Sequence, residues 1–329
     1  MYLRAKTLDD LLRKVFGKLL KSTNYVLSTK GHSSELHGVL LELSDPRARL
    51  SRTEVKGTLF SCLGELLWYL SGTNELEFIR YYIPRYEEYS DDGKTIYGGY
   101  GSRLFNMWNH YNQVDNVIGL LKRRPSSRQA VIQLFDARDI VDKHADIPCT
   151  CTLQFIIRKS RLYMFTCMRS NDAFLGLPHD IFAFTMLQEV MARSLGVELG
   201  SYKHMVGSLH LYENNRNMAE QYIKEGWQSM VSMPSMPVGD PWVSIDRLLE
   251  VELKIRKGDG IKLDELKIDK YWMDLAFLLQ IFQLSKVHGN EAKIMDIEKL
   301  MSSDAYKIYI QKRQDRALKN APPEQLDLS

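Results

Sequence analysis

The sequence predicts an α+β protein, with one domain over residues 1–232 and a mainly helical extension over 233–329. Three observations carry that prediction. Short runs of strand length occur at 36–43, 129–135, 151–157, 161–168 and 203–212. Longer apolar patterns at helical spacing sit among them at 7–20, 53–71 and 181–195. After Met233-Pro234-Ser235-Met236-Pro237 the texture changes to helix.

Each element has a local reason. Thr7 stands as an N-cap before Leu8, Leu11, Leu12, Val15 and Leu19. Residues 53–71 carry Leu59, Leu63, Leu66, Leu67 and Leu70, the mark of a strongly apolar helix. The polar stretch 84–106, with Asp91-Asp92-Gly93 and Gly98-Gly99-Tyr100-Gly101, reads as loop. Arg158-Lys159-Ser160 joins two strand-like runs into a hairpin. Ile181, Phe184, Leu187, Val190 and Met191 fall near one helical face. Two or three helices follow the Met-Pro loop, and Ala321-Pro322-Pro323-Glu324 reads as a disordered tail.

Composition narrows the function classes. Lys plus Arg is 44 and Asp plus Glu is 41, a net charge of +3, which carries no signature of nucleic-acid polymer binding. The four cysteines, at 62, 149, 151 and 167, are few for 329 residues, and Met1–Lys6 opens no apolar leader. No disulfide framework is expected, and a cytoplasmic location follows. There is no run of about 18 apolar residues, so no membrane span is expected. Cys149-Thr150-Cys151 has no second pair at zinc spacing, so no metal is expected.

The chemistry gathers around Cys149. A lone cysteine is most often a small buried hydrophobe. Cys149 follows Pro148 and precedes Arg169-Ser170-Asn171-Asp172 and Gly176-Leu177-Pro178-His179-Asp180. A nucleophilic thiol needs a nearby cation, which Arg169 supplies. Arg169 with Ser170 also offers a fork and a hydroxyl for a phosphate. Glu65 interrupts the apolar helix, and burial there is expected to raise its pKa and suit it to acid–base work. Asp180 reads either as an N-cap or as a carboxylate facing a ligand. His210 and Tyr212 alternate on one strand and share a face. His144, His179, His204 and His210 leave a Cys–His hydrolase open as a rival.

Taken together, Glu-Leu-Leu-Trp at 65–68, Tyr100-Gly101, Pro-Ser-Ser-Arg at 125–128, Pro148-Cys149, Arg-Ser-Asn-Asp at 169–172, Gly-Leu-Pro at 176–178 and Gly-Ser-Leu-His-Leu-Tyr at 207–212 resemble the thymidylate synthase family. The resemblance covers roughly residues 25–225 and implies an α+β fold around a large sheet that packs two subunits as a homodimer. It implies a pyrimidine nucleoside monophosphate substrate and 5,10-methylenetetrahydrofolate as one-carbon donor. Cys149 would add to C6 of the pyrimidine, and Glu65 would organise water and proton transfers. Arg169, Ser170 and a neighbouring subunit's Arg128 would hold the phosphate, with Lys30 as a further candidate. His210 and Tyr212 would hold the 3′-hydroxyl, and Tyr100 would line the nucleotide site. Asp172, Leu175 and Gly176 would contact the folate. Asn171 is not expected to be catalytic.

Four departures point to one branch of that family, the deoxycytidylate hydroxymethylases. Asp180 stands where uracil-using members carry asparagine, and a carboxylate accepts from the amino group of cytosine. Thr150 replaces the histidine that follows the nucleophile in the synthases. Ile83-Pro84-Arg85-Tyr86 lacks the synthases' tryptophan, whose absence would admit water to the C5 methylene. The final residues, Gln325-Leu326-Asp327-Leu328-Ser329, do not resemble the synthases' apolar C-terminal lid. Gln129 also stands where the synthases carry a second arginine. The expected reaction is C5 hydroxymethylation of dCMP or CMP. The alternatives are methylation of dUMP by a divergent thymidylate synthase and a non-catalytic nucleotide-binding protein.

Overall fold

A computed structural model describes residues 1–28, 31–55, 58–259, 261, 268–287 and 289–319. Lys30, the tail at 321–324 and the terminal residues 325–329 lie outside the described residues. The chain divides into two compact units, Met1–Ile245 and Asp246–Ser329.

The first unit is built on a seven-stranded mixed sheet. Its strands are β1 (Tyr2–Ala5), β2 (Tyr25–Ser28), β3 (Gly31–Leu43), β4 (Val131–Gln133), β5 (Thr150–Arg158), β6 (Arg161–Asp172) and β7 (Glu198–Tyr212). They run in the order β1-β3-β7-β6-β5-β4, with β2 paired to β3. The helices of this unit are α1 (Leu8–Leu19), α2 (Leu59–Leu70), α3 (Leu76–Tyr82), α4 (Tyr100–Phe105), α5 (Gln113–Arg123), α6 (Leu177–Ser194) and α7 (Arg216–Lys224). Thr7 caps α1 as expected, its side chain accepting from the Asp10 amide. Lys159 and Ser160 turn the β5–β6 hairpin with φ of 49° and 55°, the left-handed pair that a tight two-residue connection requires.

Helix α6 is buried on nearly every side, so it is a core helix rather than a surface one. It carries the chain from β6 to its parallel neighbour β7 and packs on α2. The helix begins at Leu177, four residues before the apolar pattern that predicts it, because Pro178 is tolerated in a first turn whose N–H groups need no intrahelical partner. Residues 84–106 are not loop throughout: Pro84–Tyr89 forms a 3-10 turn and α4 starts at Tyr100. The glycines there mark close approach. A Cβ on Gly101 would lie 2.4 Å from the Thr73 carbonyl, so α4 sits directly against the end of α2.

The sheet changes face partway along. On β7 the buried side chains are Tyr202, His204 and Val206, then Leu209 and Leu211. These two sets have opposite parity. The pairing with β3 runs from Val39↔Val206 to His37↔Ser208, leaving Gly38 and Gly207 at the break. Gly38 has φ +58°, and a Cβ on Gly207 would lie 2.9 Å from the Arg169 carbonyl. This irregularity turns Ser208, His210 and Tyr212 away from the core.

The second unit contains most of α8 (Trp242–Lys257), with α9 (Lys270–Leu284), α10 (Glu291–Leu300) and α11 (Lys307–Lys319). Four helices thus follow the Met-Pro loop among the described residues, where two or three were expected. Helix α9 buries Trp272, Leu275, Leu278 and Ile281, and Asp274 accepts from the amide and hydroxyl of Ser302 at 2.8 Å each. No helix of the described residues is long and apolar enough to cross a membrane.

Candidate active site

Two buried carboxylates face each other from α2 and α6. Glu65 is 5% exposed, and both its oxygens are occupied. Tyr86 donates to Oε1 at 2.5 Å, and His179 Nδ1 donates to Oε2 at 2.7 Å. Burial pushes the Glu65 pKa up, but the His179 bond and charge, with donors from Tyr86 and Tyr69, outweigh it and leave it below the ordinary value. The expectation of a raised Glu65 pKa is therefore corrected: the burial is present, and the donors reverse its effect. His179 is itself lifted to about 10, because Cys62 and Glu65 more than offset its burial, so it stays a cation at neutral pH.

Asp180 lies in the first turn of α6 and does not cap it; Gly176 is the N-cap. Its Oδ2 accepts from Asn171 Nδ2 at 2.6 Å. Burial first, then the negative charge of Glu65, raises its pKa to about 7, against the opposing bond from Asn171 and charge of His179. Gly176 sits close to this pair: a Cβ would lie 3.1 Å from Asn171 Nδ2 and 3.5 Å from Asp180 Oδ2.

Cys149 stands half-buried at the head of β5 and forms no disulfide. The main chain around it is pinned from two sides. Tyr100 Oη accepts from the Thr150 amide at 3.1 Å and the Thr150 hydroxyl at 3.0 Å. Arg169 donates through Nε to the Pro148 carbonyl at 2.9 Å and through Nη2 to the Ile147 carbonyl at 3.0 Å. A guanidinium thus lies along the segment that leads into the thiol. Tyr100 packs against Tyr69 and Phe184. Burial, then the charges of Asp180 and Cys149, keeps its phenol protonated, which places all three groups in one neighbourhood.

The remaining expected residues form a second group. Ser170 pairs with Ser208, and Asp172 with His210, across β6 and β7. His210 and Tyr212 share a face, with ring centroids 5.0 Å apart. Glu35, which sequence reasoning missed, lies opposite His210 on β3 and accepts from the Ser208 hydroxyl and from His37 Nε2. The Ser208 bond, above all, holds its carboxyl below the ordinary range. Asp172 Oδ1 accepts from the amides of Phe174 and Leu175 at 2.8 and 2.9 Å, which shapes the turn into Gly176. Arg128 is exposed, and its carbonyl accepts from Gln154, five residues along β5 from Cys149, so this chain does not bring it to the thiol.

His179, Asn171 and Tyr86 were underrated from sequence. The one available signal was polarity in an apolar setting, since His179 and Asn171 stand among buried neighbours. The four histidines of the hydrolase reading are engaged with other groups. His144 stacks on Tyr97, His179 pairs with Glu65, His204 bonds to Asn171 and Tyr202, and His210 packs on Tyr212.

The sequence profile of the thymidylate synthase family matches residues 42–271, which takes in every element carrying Glu65, Tyr86, Tyr100, Cys149, Arg169 and Asp180. The chain belongs to that family. Among its relatives, a protein of Delftia phage PhiW-14 named deoxyuridylate hydroxymethyltransferase is 28% identical over 234 residues, covering 67% of this chain and 64% of the relative. A protein of the same name from Pseudomonas phage M6 is 36% identical over 163 residues, covering 48% of this chain and 46% of the relative. The chain thus matches less than two thirds of the length of either.

Proposed function

We propose that the protein is a pyrimidine nucleotide C5 hydroxymethyltransferase, and that its base is cytosine, presented as dCMP or CMP. The names of the two phage relatives support hydroxymethyl transfer. The single observation that carries cytosine is Asp180, a buried carboxylate where uracil-using members of the family carry asparagine, with a pKa raised to about 7. Ionised, it accepts from the amino group at C4 and stabilises a proton gained at N3 as electrons move onto the ring. Protonated, it presents one acceptor and one donor, as an amide does, and suits uracil. dUMP is therefore the second reading, favoured by the relatives' names.

In this mechanism the Cys149 sulfur bonds to C6, and the ring electrons make C5 a nucleophile. 5,10-Methylenetetrahydrofolate, bound as co-substrate, supplies the one-carbon unit. Asp172 fits that ligand: one oxygen shapes the turn at Phe174 and Leu175, and the carboxylate suits the N–H groups of a pterin. Leu175 and Gly176 complete the contact. C5 bonds to the methylene carbon, the C–N bond to the folate breaks so that tetrahydrofolate leaves, and C5 gives up its proton. Glu65, ionised by His179, then takes a proton from water, and the oxygen bonds to that methylene carbon. Expulsion of the Cys149 thiolate from C6 then restores the ring double bond. Arg169 and Ser170 hold the phosphate, Tyr100 lines the nucleotide site, and His210, Tyr212 and Glu35 hold the 3′-hydroxyl. A second copy covers the outward sheet face that bears Phe165, Cys167 and the half-exposed Met205, making a homodimer in which Arg128 reaches the neighbouring site.

The test supplies purified protein, methylenetetrahydrofolate and one of dCMP, CMP or dUMP, with products identified by mass. Hydroxymethylated cytidine nucleotide is the expected product. Hydroxymethyl-dUMP alone would establish the second reading, and methylated dUMP would overturn hydroxymethyl transfer altogether.

A further inference from the structure

We propose that Asn171, held in place by His204, is a specificity-determining positioning residue that sets the form in which Asp180 meets the pyrimidine. This rests on the reading of Asp180 as the base-facing carboxylate. Asn171 is 4% exposed at the end of β6, and its amide is held from both sides. Nδ2 lies 2.6 Å from Asp180 Oδ2, and Oδ1 lies 3.2 Å from His204 Nε2. His204 is fully buried, with Nδ1 2.8 Å from Tyr202 Oη, which in turn lies 2.9 Å from Thr166 Oγ1.

The proton inventory of this row fixes its direction. Burial lowers the His204 pKa to about 3, so its imidazole is neutral and carries one N–H. For Asn171 to donate to Asp180, its Oδ1 must accept, and His204 must then hold its proton on Nε2. His204 Nδ1 is then left as an acceptor toward the Tyr202 hydroxyl, 2.8 Å away. With Asp180 ionised, both ends of the Asn171 amide are satisfied. Asn171 therefore occupies Oδ2 with a donor and leaves Oδ1 as an acceptor for the base.

The titratable groups that face Asp180 are Glu65 and Tyr69 from α2, Tyr100 from α4, Tyr202 from β7 and His179 beside it on α6. Among them the Glu65 charge opposes ionisation. The Asn171 bond and the His179 charge favour it. Without the Asn171 donor, Asp180 holds its proton at neutral pH and reads a base as an amide would.

Wild type and the Asn171→Ala, Asn171→Ser and His204→Leu variants are compared on dCMP and dUMP with methylenetetrahydrofolate, across about pH 6 to 9. In wild type the dCMP-to-dUMP ratio of kcat/KM rises with pH as Asp180 ionises. Asn171→Ala and His204→Leu lower the neutral-pH ratio by about tenfold and move its rise to higher pH by about one unit. Asn171→Ser, which retains a donor, keeps more of the wild-type ratio. A smaller folded fraction leaves a ratio measured on one preparation unmoved. If Asn171→Ala does not fold, His204→Leu carries the same reading. A ratio and pH profile unchanged in the folded variants would overturn the inference while leaving hydroxymethyl transfer intact. If wild type turns over neither nucleotide, that reaction fails, and equilibrium binding of dCMP against dUMP to wild type and variants decides the role of Asn171.

Discussion

Glu65 and Asp180 are both buried carboxylates of the same cluster, yet their pKa values move in opposite directions. Glu65 has a donor on each oxygen, one of them from a cation. Asp180 has one neutral amide donor and the negative charge of Glu65 nearby. Burial opposes ionisation in both, so the count and charge of donors decide the outcome. Two acids with separated protonation states can serve two purposes in one pocket. Glu65 is kept ready to take a proton, and Asp180 titrates where a change of state alters hydrogen-bond pattern.

The largest break in this comparison is His179→Leu. It leaves Glu65 buried without its cation, which costs about 3–5 kcal/mol of stability. The sign of the pH dependence follows from the two shifts. Glu65, with its folded pKa lowered, contributes stability that is present above its ordinary value of 4.5 and lost as pH falls through its folded pKa. His179, raised, contributes stability that is full below its ordinary value of 6.5 and lost as pH rises through about 10. The stability gap between wild type and variant is thus widest between about pH 4.5 and 6.5 and narrows on both sides. Denaturant unfolding measured across pH reads it, and a gap that does not vary with pH would show that His179 contributes packing rather than charge.

Asp180→Asn sharpens the other half. The amide holds one donor and one acceptor at every pH, so base preference moves toward uracil by about 10- to 100-fold, the range of one buried mismatched hydrogen bond. The pH dependence of the dCMP-to-dUMP ratio near 7 also disappears. Competition between the two nucleotides in one reaction measures both, and an unchanged preference would leave Asp180 as a structural group of the α6 first turn.

The contrast between these carboxylates explains what the sequence could show. Cys149, Glu65 and Asp180 were legible because each lies within a short run whose neighbours are fixed by chain order. Strands β5, β6 and β7 were legible from their apolar alternation, and α6 from its face. The partners that set the chemistry were not. Glu65 meets His179 across 114 residues of chain, and Asn171 meets Asp180 only because a strand, a turn and a helix fold back on each other. The direction of the Glu65 shift therefore could not be read from the burial of its helix. The glycines at 98–101 misled for a related reason. They answer close packing on distant parts of the chain, Gly98 on Asp146, Gly99 on Asn74 and Gly101 on Thr73, which resembles loop composition locally. Strands β1 and β2, four residues each, are too short to carry a pattern.

The smallest change tests whether Glu65 grades toward Asp180 as donors are removed one at a time. Tyr86→Phe deletes the Oε1 donor and retains the ring, which packs edge-on to Trp68 with centroids 5.4 Å apart. His179 stays, so Glu65 keeps its cation. A hydrogen bond to a charged group is worth about 1.5–3 kcal/mol, and water replaces part of it at this half-buried site, so a stability loss of about 1 kcal/mol is expected. Glu65 loses one of the interactions that hold its pKa down, and the acid limb of hydroxymethyl turnover moves to higher pH. Near pH 7, where Asp180 titrates, His179 still keeps Glu65 ionised, so its charge on Asp180 is unchanged. The acid limb of total turnover is therefore expected to move while the base-preference profile stays in place. A base-preference profile that moves with the acid limb would mean that Tyr86 acts on both carboxylates, and the contrast between them would then not rest on their separate donors.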